Sequence, residues 1–258
     1  MEILTPKQNQ YFNNIEAILR DSEIHPFMKL PETQEILNIG GKLFGTRGNF
    51  SCIVGPKKSR KTYLTSLIEA ICLNENLSNG TFKSFIEDTT ILHFDLEQSK
   101  YHVQKNSKRI YTLNDKTEPM RNYRVFSLRE NSIKERIGVI EKALSLIPNI
   151  SLVVIDGIAD LVTSVNDEEQ CSEIIQKLMS WSSMNKIHIL TVIHDTKSNR
   201  DPKGHLGSLI TQKAETVLSV INDKKNNITS VSPYCSRNLD IPKFNFSVNN
   251  MDCPFLKD

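Results

Sequence analysis

The 258-residue sequence predicts an α/β fold, a mainly parallel sheet flanked by helices with an antiparallel extension at its C-terminal end. Three observations predict it. Apolar runs such as Ser151–Asp156 (SLVVID) and Ile187–Ile193 (IHILTVI) lack polar alternation, as strands buried on both faces do. Segments of helical period separate these runs. Beyond Pro202 the rhythm changes to short strand-like runs joined by tight turns.

The elements come in order along the chain. Residues 1–44 read as a helical N-terminal extension and residues 45–258 as one domain. Lys7–Arg20 carries Tyr11, Ile15, Ile18 and Leu19 near helical spacing, and prolines at 26 and 31 interrupt the segment beyond it. Glu32–Ile39 is expected as a second short helix, and Gly40-Gly41 and Gly45–Gly48 as turns. A strand over Phe50–Val54 then leads to a helix over Lys61–Leu73, with Leu64, Leu67, Ile68 and Ile71 on one face. Thr89–Asp95 and Tyr123–Phe126 read as strands, and Ser99–Leu113 as a helix with a solvated basic face of Lys100, Lys105, Lys108 and Arg109. Ser132 caps an amphipathic helix reaching Ile147, and Glu168–Met184 is another. Thr196–Leu209 is expected as a long basic loop, and Ala214–Asn222, Ile228–Tyr234 and Phe244–Val248 as the antiparallel strands.

Bulk properties narrow the class. Apolar content of 38% and charged content of 24% suit a packed core and exclude wholesale disorder. A net charge of +2 is too small to argue for nucleic acid by itself. The five cysteines show no C-x-x-C spacing, so reduced, structural thiols are expected. With no long apolar run, a soluble cytoplasmic protein without a membrane partner is expected.

The chemistry gathers around Asn49–Thr62, NFSCIVGPKKSRKT. An apolar strand ends at Gly55, a polar loop of Pro56, Lys57, Lys58, Ser59 and Arg60 comes next, and Lys61, Thr62 and Tyr63 open a helix. Strand, tight loop, lysine, hydroxyl and helix make a phosphate-binding loop, the backbone N–H groups and helix N-terminus facing the anion. The pattern is G-x-x-x-x-G-K-[ST] with Arg60 in place of the second glycine. Either the Arg60 backbone takes a glycine-favoured geometry and strains the loop, or its side chain points away and adds positive charge.

Three strand ends add polar groups. Asp156 closes an apolar strand, where a carboxylate can hold Mg²⁺; a turn or helix cap is the bland alternative. Glu97 lies just past a strand end and can polarise an attacking water, with Asp95 as its competitor. His194 ends another strand, where a polar group can contact the γ-phosphate or simply sit idle. Lys197, Arg200, Lys203 and His205 populate the basic loop, which suits nucleic-acid phosphates or plain solvent.

In this order the motifs resemble the RecA-like ATPases, most closely the hexameric replicative helicase branch of DnaB- and RepA-like proteins. Within that branch, FDLEQSKYHVQK and GHLGS are similar to ATP-binding proteins of mobile elements in Bacteroides-type bacteria. The resemblance covers roughly residues 45–248. It implies ATP and Mg²⁺, with Lys61 on the β- and γ-phosphates and Thr62 and Asp156 on the metal. It also implies Glu97 as catalytic base, His194 as phosphate sensor and Arg237 as an arginine finger acting on a neighbour's ATP. Segments 163–170 and 196–209 would face single-stranded nucleic acid, DNA by preference, inside a homo-oligomeric, hexameric ring. The implied function is a helicase-type or replication and mobilisation ATPase. The alternative is a regulatory or assembly module that binds nucleotide without turnover.

Overall fold

The computed structural model describes residues 6–74, 77, 80–87, 89–196 and 201–257. The chain divides into two compact units, Met1–Glu32 and Thr33–Asp258. In the first, helix α1 spans Pro6–Ser22, with proline at the position where a missing N–H costs nothing.

In the second unit, β1 (Glu35–Ile39) and β2 (Lys42–Thr46) form a hairpin. β3 (Phe50–Gly55) enters the main sheet and α2 (Lys61–Leu73) returns from it. β4 (Phe82–Ser84) pairs with β1, completing a small three-stranded sheet. β5 (Thr90–Asp95), α3 (Lys100–Leu113), β6 (Tyr123–Ser127), α4 (Ile133–Leu146) and β7 (Ile150–Asp156) then alternate. α5 (Glu168–Asn185), β8 (His188–His194), α6 (Gly204–Lys213) and β9 (Thr216–Asp223) continue the alternation. β10 (Ile228–Ser236), β11 (Phe244–Val248) and β12 (Pro254–Lys257) end the chain.

Among the described residues the main sheet runs β12-β11-β10-β9-β3-β8-β7-β5-β6. Pairings from β9 through to β6 are parallel, and those from β9 out to β12 are antiparallel. Successive strand residues feed opposite layers. Phe50, Cys52 and Val54 join the layer under α4, α5 and α6, while Ile53 joins the layer that holds α2 and the small sheet. Val153 and Ile155 of β7 divide from Leu152 and Val154 in the same way. Each such side chain contributes roughly 1.5–3 kcal/mol when fully buried. Two-sided burial explains why these strands read as unbroken apolar runs. At α4 the Ser132 cap is a full capping box with Glu135.

Four expectations change. Glu32–Ile39 is not a helix: residues 35–39 pair as β1 through a turn in which Gly40 and Gly41 take φ of 59° and 71°. That two-residue turn has the handedness of strand twist, so hairpin pairing overrides the weak helical spacing. Gly45 lies in β2 rather than in a turn, and the boundary expected at residue 44 falls inside that strand. The basic loop ends early, because residues 204–213 form α6. β4 and β12 are short strands that carried no sequence signal of their own. No described helix is long and apolar enough to cross a membrane.

Helix α6 sits tightly against its own lead-in. A Cβ on buried Gly207 would lie 2.3 Å from the carbonyl carbon of Pro202. Gly207→Ala is expected to cost about 1–3 kcal/mol by overpacking, read as a lowered urea midpoint. An unchanged midpoint would mean that the helix is free to shift.

Candidate functional site

In-register parallel pairing collects one set of strand ends. Gly55 lies opposite His194, and Asp156 lies opposite both Asp95 and Val192. The loop of residues 56–60 bends over this edge. Gly55 is required by space, since a Cβ there would meet the Val220 carbonyl oxygen at 2.4 Å. Lys58 and Arg60 both adopt left-handed backbone, with φ of 65° and 72°. Such geometry costs a non-glycine residue about 1–2 kcal/mol. Arg60 therefore does take the conformation of the missing glycine. Its side chain also turns away from the loop, to Asn227 Oδ1 at 2.6 Å and Thr229 Oγ1 at 3.3 Å. No side chain caps the α2 N-terminus behind it, which leaves helix N–H groups for an anion.

Lys61 is buried, and its ammonium donates to the carbonyls of Gly55 and Pro56 at 2.7 and 2.9 Å. Its third donor meets His194 Nδ1 at 2.9 Å. An ammonium donates only, so Nδ1 accepts, and the ring proton sits on Nε2. That nitrogen faces Glu97 Oε2 at 3.6 Å. His194 is the main reason the Glu97 carboxyl is held below its usual range, against the opposing effect of burial. Lys61 is lowered from the ordinary lysine value by burial, which the carboxylates of Asp156, Glu97 and Asp195 partly offset.

Thr62 Oγ1 donates to Asp156 Oδ2 at 3.1 Å. Burial pushes the Asp156 carboxyl up to about 6. Asp95, the competitor of Glu97, is engaged in a turn. Its Oδ1 accepts the backbone N–H groups of Glu97 and Gln98 at 3.1 and 2.7 Å, the Asx-turn that aims Glu97 over the strand ends. Its Oδ2 is buried with no hydrogen-bond partner among the described residues. Gly157 has φ of 95°, and a Cβ there would fall 2.6 Å from Glu97 Cγ. The glycine after Asp156 thus clears room for the Glu97 side chain. Beneath these carboxylates, His93 pairs with buried Glu69 at 2.8 Å. Burial alone would lower His93, but the Glu69 carboxylate outweighs it and raises the ring to about 9.

The cleft over this edge measures about 470 Å³. Tyr63, His102, Lys105 and Arg109 line it, so Lys105 and Arg109 of the α3 face expected to be solvated belong to the site, while Lys100 and Lys108 are exposed as expected. Arg109 is only 4% exposed, lies 3.8 Å above the Tyr63 ring and donates to Asp252 Oδ2 at 2.9 Å. Asp252 also accepts from Tyr63. Helical spacing alone could not reveal this, because Asp252 comes from the β11–β12 turn.

No family model matches this sequence, and no curated protein does. Solved structures do, with 697 matching chains. One, described as the ATPase domain of G40P, aligns with a TM-score of 0.61 over 99% of this chain and 100% of that one, at 13% identity. The fold is RecA-like.

In this RecA-like fold the phosphate loop, Lys61, Thr62, Glu97, Asp156 and His194 share one edge of the sheet. Arg237 does not. Its backbone N–H donates to Glu215 and its guanidinium to the Lys213 carbonyl, beside the first residue of β9. From Thr216 to the cleft-lining Asn222 that strand rises roughly 20 Å, further than an arginine side chain extends, so Arg237 does not reach the cleft of its own chain. Lys197 and Arg200 lie outside the described residues. Lys203 is exposed at the N-cap of α6, and His205 is half-buried in its first turn. Residues 163–170 lie beside them, joined through the Leu206 N–H to the Val165 carbonyl at 3.0 Å.

The His93–Glu69 pair sets a pH dependence of stability. Its folded-state value is raised, so the stabilisation is complete below about 6.5 and is lost as pH rises through about 9. Thermal midpoints between pH 7 and 10 are expected to fall more steeply for the wild type than for His93→Gln. Parallel slopes would show that the pair adds nothing pH-dependent.

Proposed function

We propose that this chain binds and hydrolyses ATP on the RecA-like sheet edge and couples that cycle to single-stranded nucleic acid in a homo-oligomer, as a helicase-type or replication and mobilisation ATPase. One observation carries the reading. The loop lysine, Lys61, touches His194, whose other nitrogen faces Glu97, so the phosphate-binding and water-activating groups form one connected unit.

The chemistry comes from that unit. A γ-phosphate entering the loop draws the Lys61 ammonium away from two carbonyls and a ring nitrogen, and the helix N-terminus adds its partial positive charge. Glu97, held ionised, accepts a proton from water as the water oxygen bonds to the γ-phosphorus. The bond from that phosphorus to the β–γ bridging oxygen breaks, leaving ADP and phosphate. His194, released by Lys61, is then free to read the γ-phosphate.

The donors also suit Mg²⁺. Asp156 and Thr62 offer oxygens 3.1 Å apart, Asp95 Oδ2 is a buried acceptor without a partner, and a hard cation prefers such an all-oxygen set. Bound there, Mg²⁺ would neutralise charge on the transferred phosphate. Arg237 supports an oligomer, since only a neighbour's nucleotide is open to it. Resemblance to mobile-element ATPases and the exposed Lys203 support a nucleic-acid partner. The strained Arg60 favours the second reading, a nucleotide-binding module without turnover.

ATPase rates with and without single-stranded DNA separate the two. Stimulation that vanishes in Lys61→Ala supports the motor, whereas ATP binding without turnover in either condition sinks it. Glu97→Gln is expected to retain ATP binding while turnover drops by about 10²–10⁴-fold. Retained turnover would move the base elsewhere. Arg237→Ala should lose turnover but keep binding, and mixing it with Lys61→Ala should restore part of the rate if the finger acts between subunits. No recovery on mixing would argue against that arrangement.

A further inference from the structure

The β9–β10 hairpin holds the phosphate loop at both of its strained residues. Arg60 reaches Asn227 Oδ1 at 2.6 Å and Thr229 Oγ1 at 3.3 Å. Asn222 Nδ2 donates to the carbonyl of Lys58 at 3.5 Å. Lys58 and Arg60 are the two residues of the loop whose backbone is left-handed. The anchor itself is firm. Asn227 donates to the Val248 carbonyl at 3.0 Å and accepts from Ser247 at 2.7 Å, so it is fixed to β11. Asn222 also belongs to the lining of the cleft.

We infer that Arg60 is a positioning residue that makes the β9–β10 hairpin part of the phosphate site, so that nucleotide in the loop and the conformation of the hairpin are energetically coupled. The inference rests on the nucleotide-binding reading above. A glycine before the lysine would hold the left-handed turn at no cost and leave the hairpin tied to the loop only through the longer Asn222–Lys58 bond. Arginine cannot hold that turn freely. Its two side-chain bonds offset the strain, and they do so only while the hairpin presents Asn227 and Thr229. Coupling is reciprocal: whatever the hairpin contributes to the binding-competent loop, bound nucleotide returns to the hairpin. The hairpin tip carries exposed Lys224 and Lys225, so a partner that binds the tip would bias nucleotide affinity, and nucleotide would bias the tip.

The test uses the full chain, ADP with Mg²⁺ as the probe, and trypsin at Lys224 and Lys225 as the reporter. In the wild type, ADP is expected to slow cleavage at the tip. Arg60→Ala keeps the strain and loses the anchor, so ADP binding should weaken about three- to tenfold, the worth of hydrogen bonds from a guanidinium at a partly exposed site. Arg60→Gly should recover most of that loss, because glycine takes the turn without strain. In both variants the response of tip cleavage to ADP should fall well below that of the wild type, the weaker Asn222–Lys58 bond being all that remains. Asn227→Gly removes the acceptor while keeping a residue suited to its φ of 55°, and it should uncouple the tip in the same way. Arg60→Ala combined with Asn227→Gly should bind no more weakly than Arg60→Ala alone. Thermal melts establish that each variant is folded. Two results overturn the coupling while leaving the site intact: a wild-type tip indifferent to bound ADP, or a tip that responds as fully as the wild type in Arg60→Gly and Asn227→Gly. A wild type that binds no nucleotide overturns the proposed function, and the coupling with it.

Discussion

Parallel pairing in register is the constraint on which the rest of this molecule depends. Because β3, β8, β7 and β5 run the same way, their C-terminal ends lie side by side, and whatever residues terminate them must meet. Those residues are Gly55, His194, Asp156 and Asp95. Backbone carbonyls at this edge have no further strand residues to accept from, so the Lys61 ammonium takes that place at Gly55, and the N–H groups of Leu96, Leu128 and Lys203 take it at Asp156, Asp95 and His194. The same pairing buries three charged groups, Glu69, His93 and Asp156, within a few residues of the cleft. Desolvation would make each of them costly alone. They persist because they face one another and, at Asp156, a threonine hydroxyl.

This arrangement leaves the site self-satisfied in part and poised in part. Lys61 has three acceptors and Glu97 has a facing imidazole, so these charges are compensated within the protein. Asp95 Oδ2 and Ser59 Oγ are buried without a hydrogen-bond partner. Buried polar atoms of this kind are uncommon and cluster where a ligand supplies the missing bond. Two of the non-glycine residues at positive φ, Lys58 and Arg60, lie in the loop beside the cleft. Attaching the loop to the hairpin at Arg60 is the feature that sets this chain apart from the glycine-containing pattern.

Elements whose burial alternates with a clear period are legible in the amino-acid sequence. The helix over Lys61–Leu73 and the strand over Phe244–Val248 have the expected bounds, because apolar spacing and flanking polar turns agree there. Glu32–Ile39 misled because a short apolar run satisfies both periods, and its choice of strand depends on partners in β2 and β4. The GHLGS stretch read as loop because of its glycines, yet Gly207 is there to let α6 pack against Pro202.

The site divides in the same way. That the loop of residues 56–60, Thr62, Glu97, Asp156 and His194 would meet at one edge is legible in sequence, since each sits at or near the end of an apolar run and strand ends of a parallel sheet converge. Sequence alone also posed the question of Arg60. Only the tertiary structure decided what each group touches: that Lys61 bonds His194, that Asp95 aims Glu97, that Arg109 is buried against Tyr63 and Asp252, and that Arg60 is held by Asn227. Apart from the local Asp95 turn, those contacts join residues far apart in the chain. A local pattern encodes which face of an element is apolar and where it stops. It carries no information about which distant side chain will share that space.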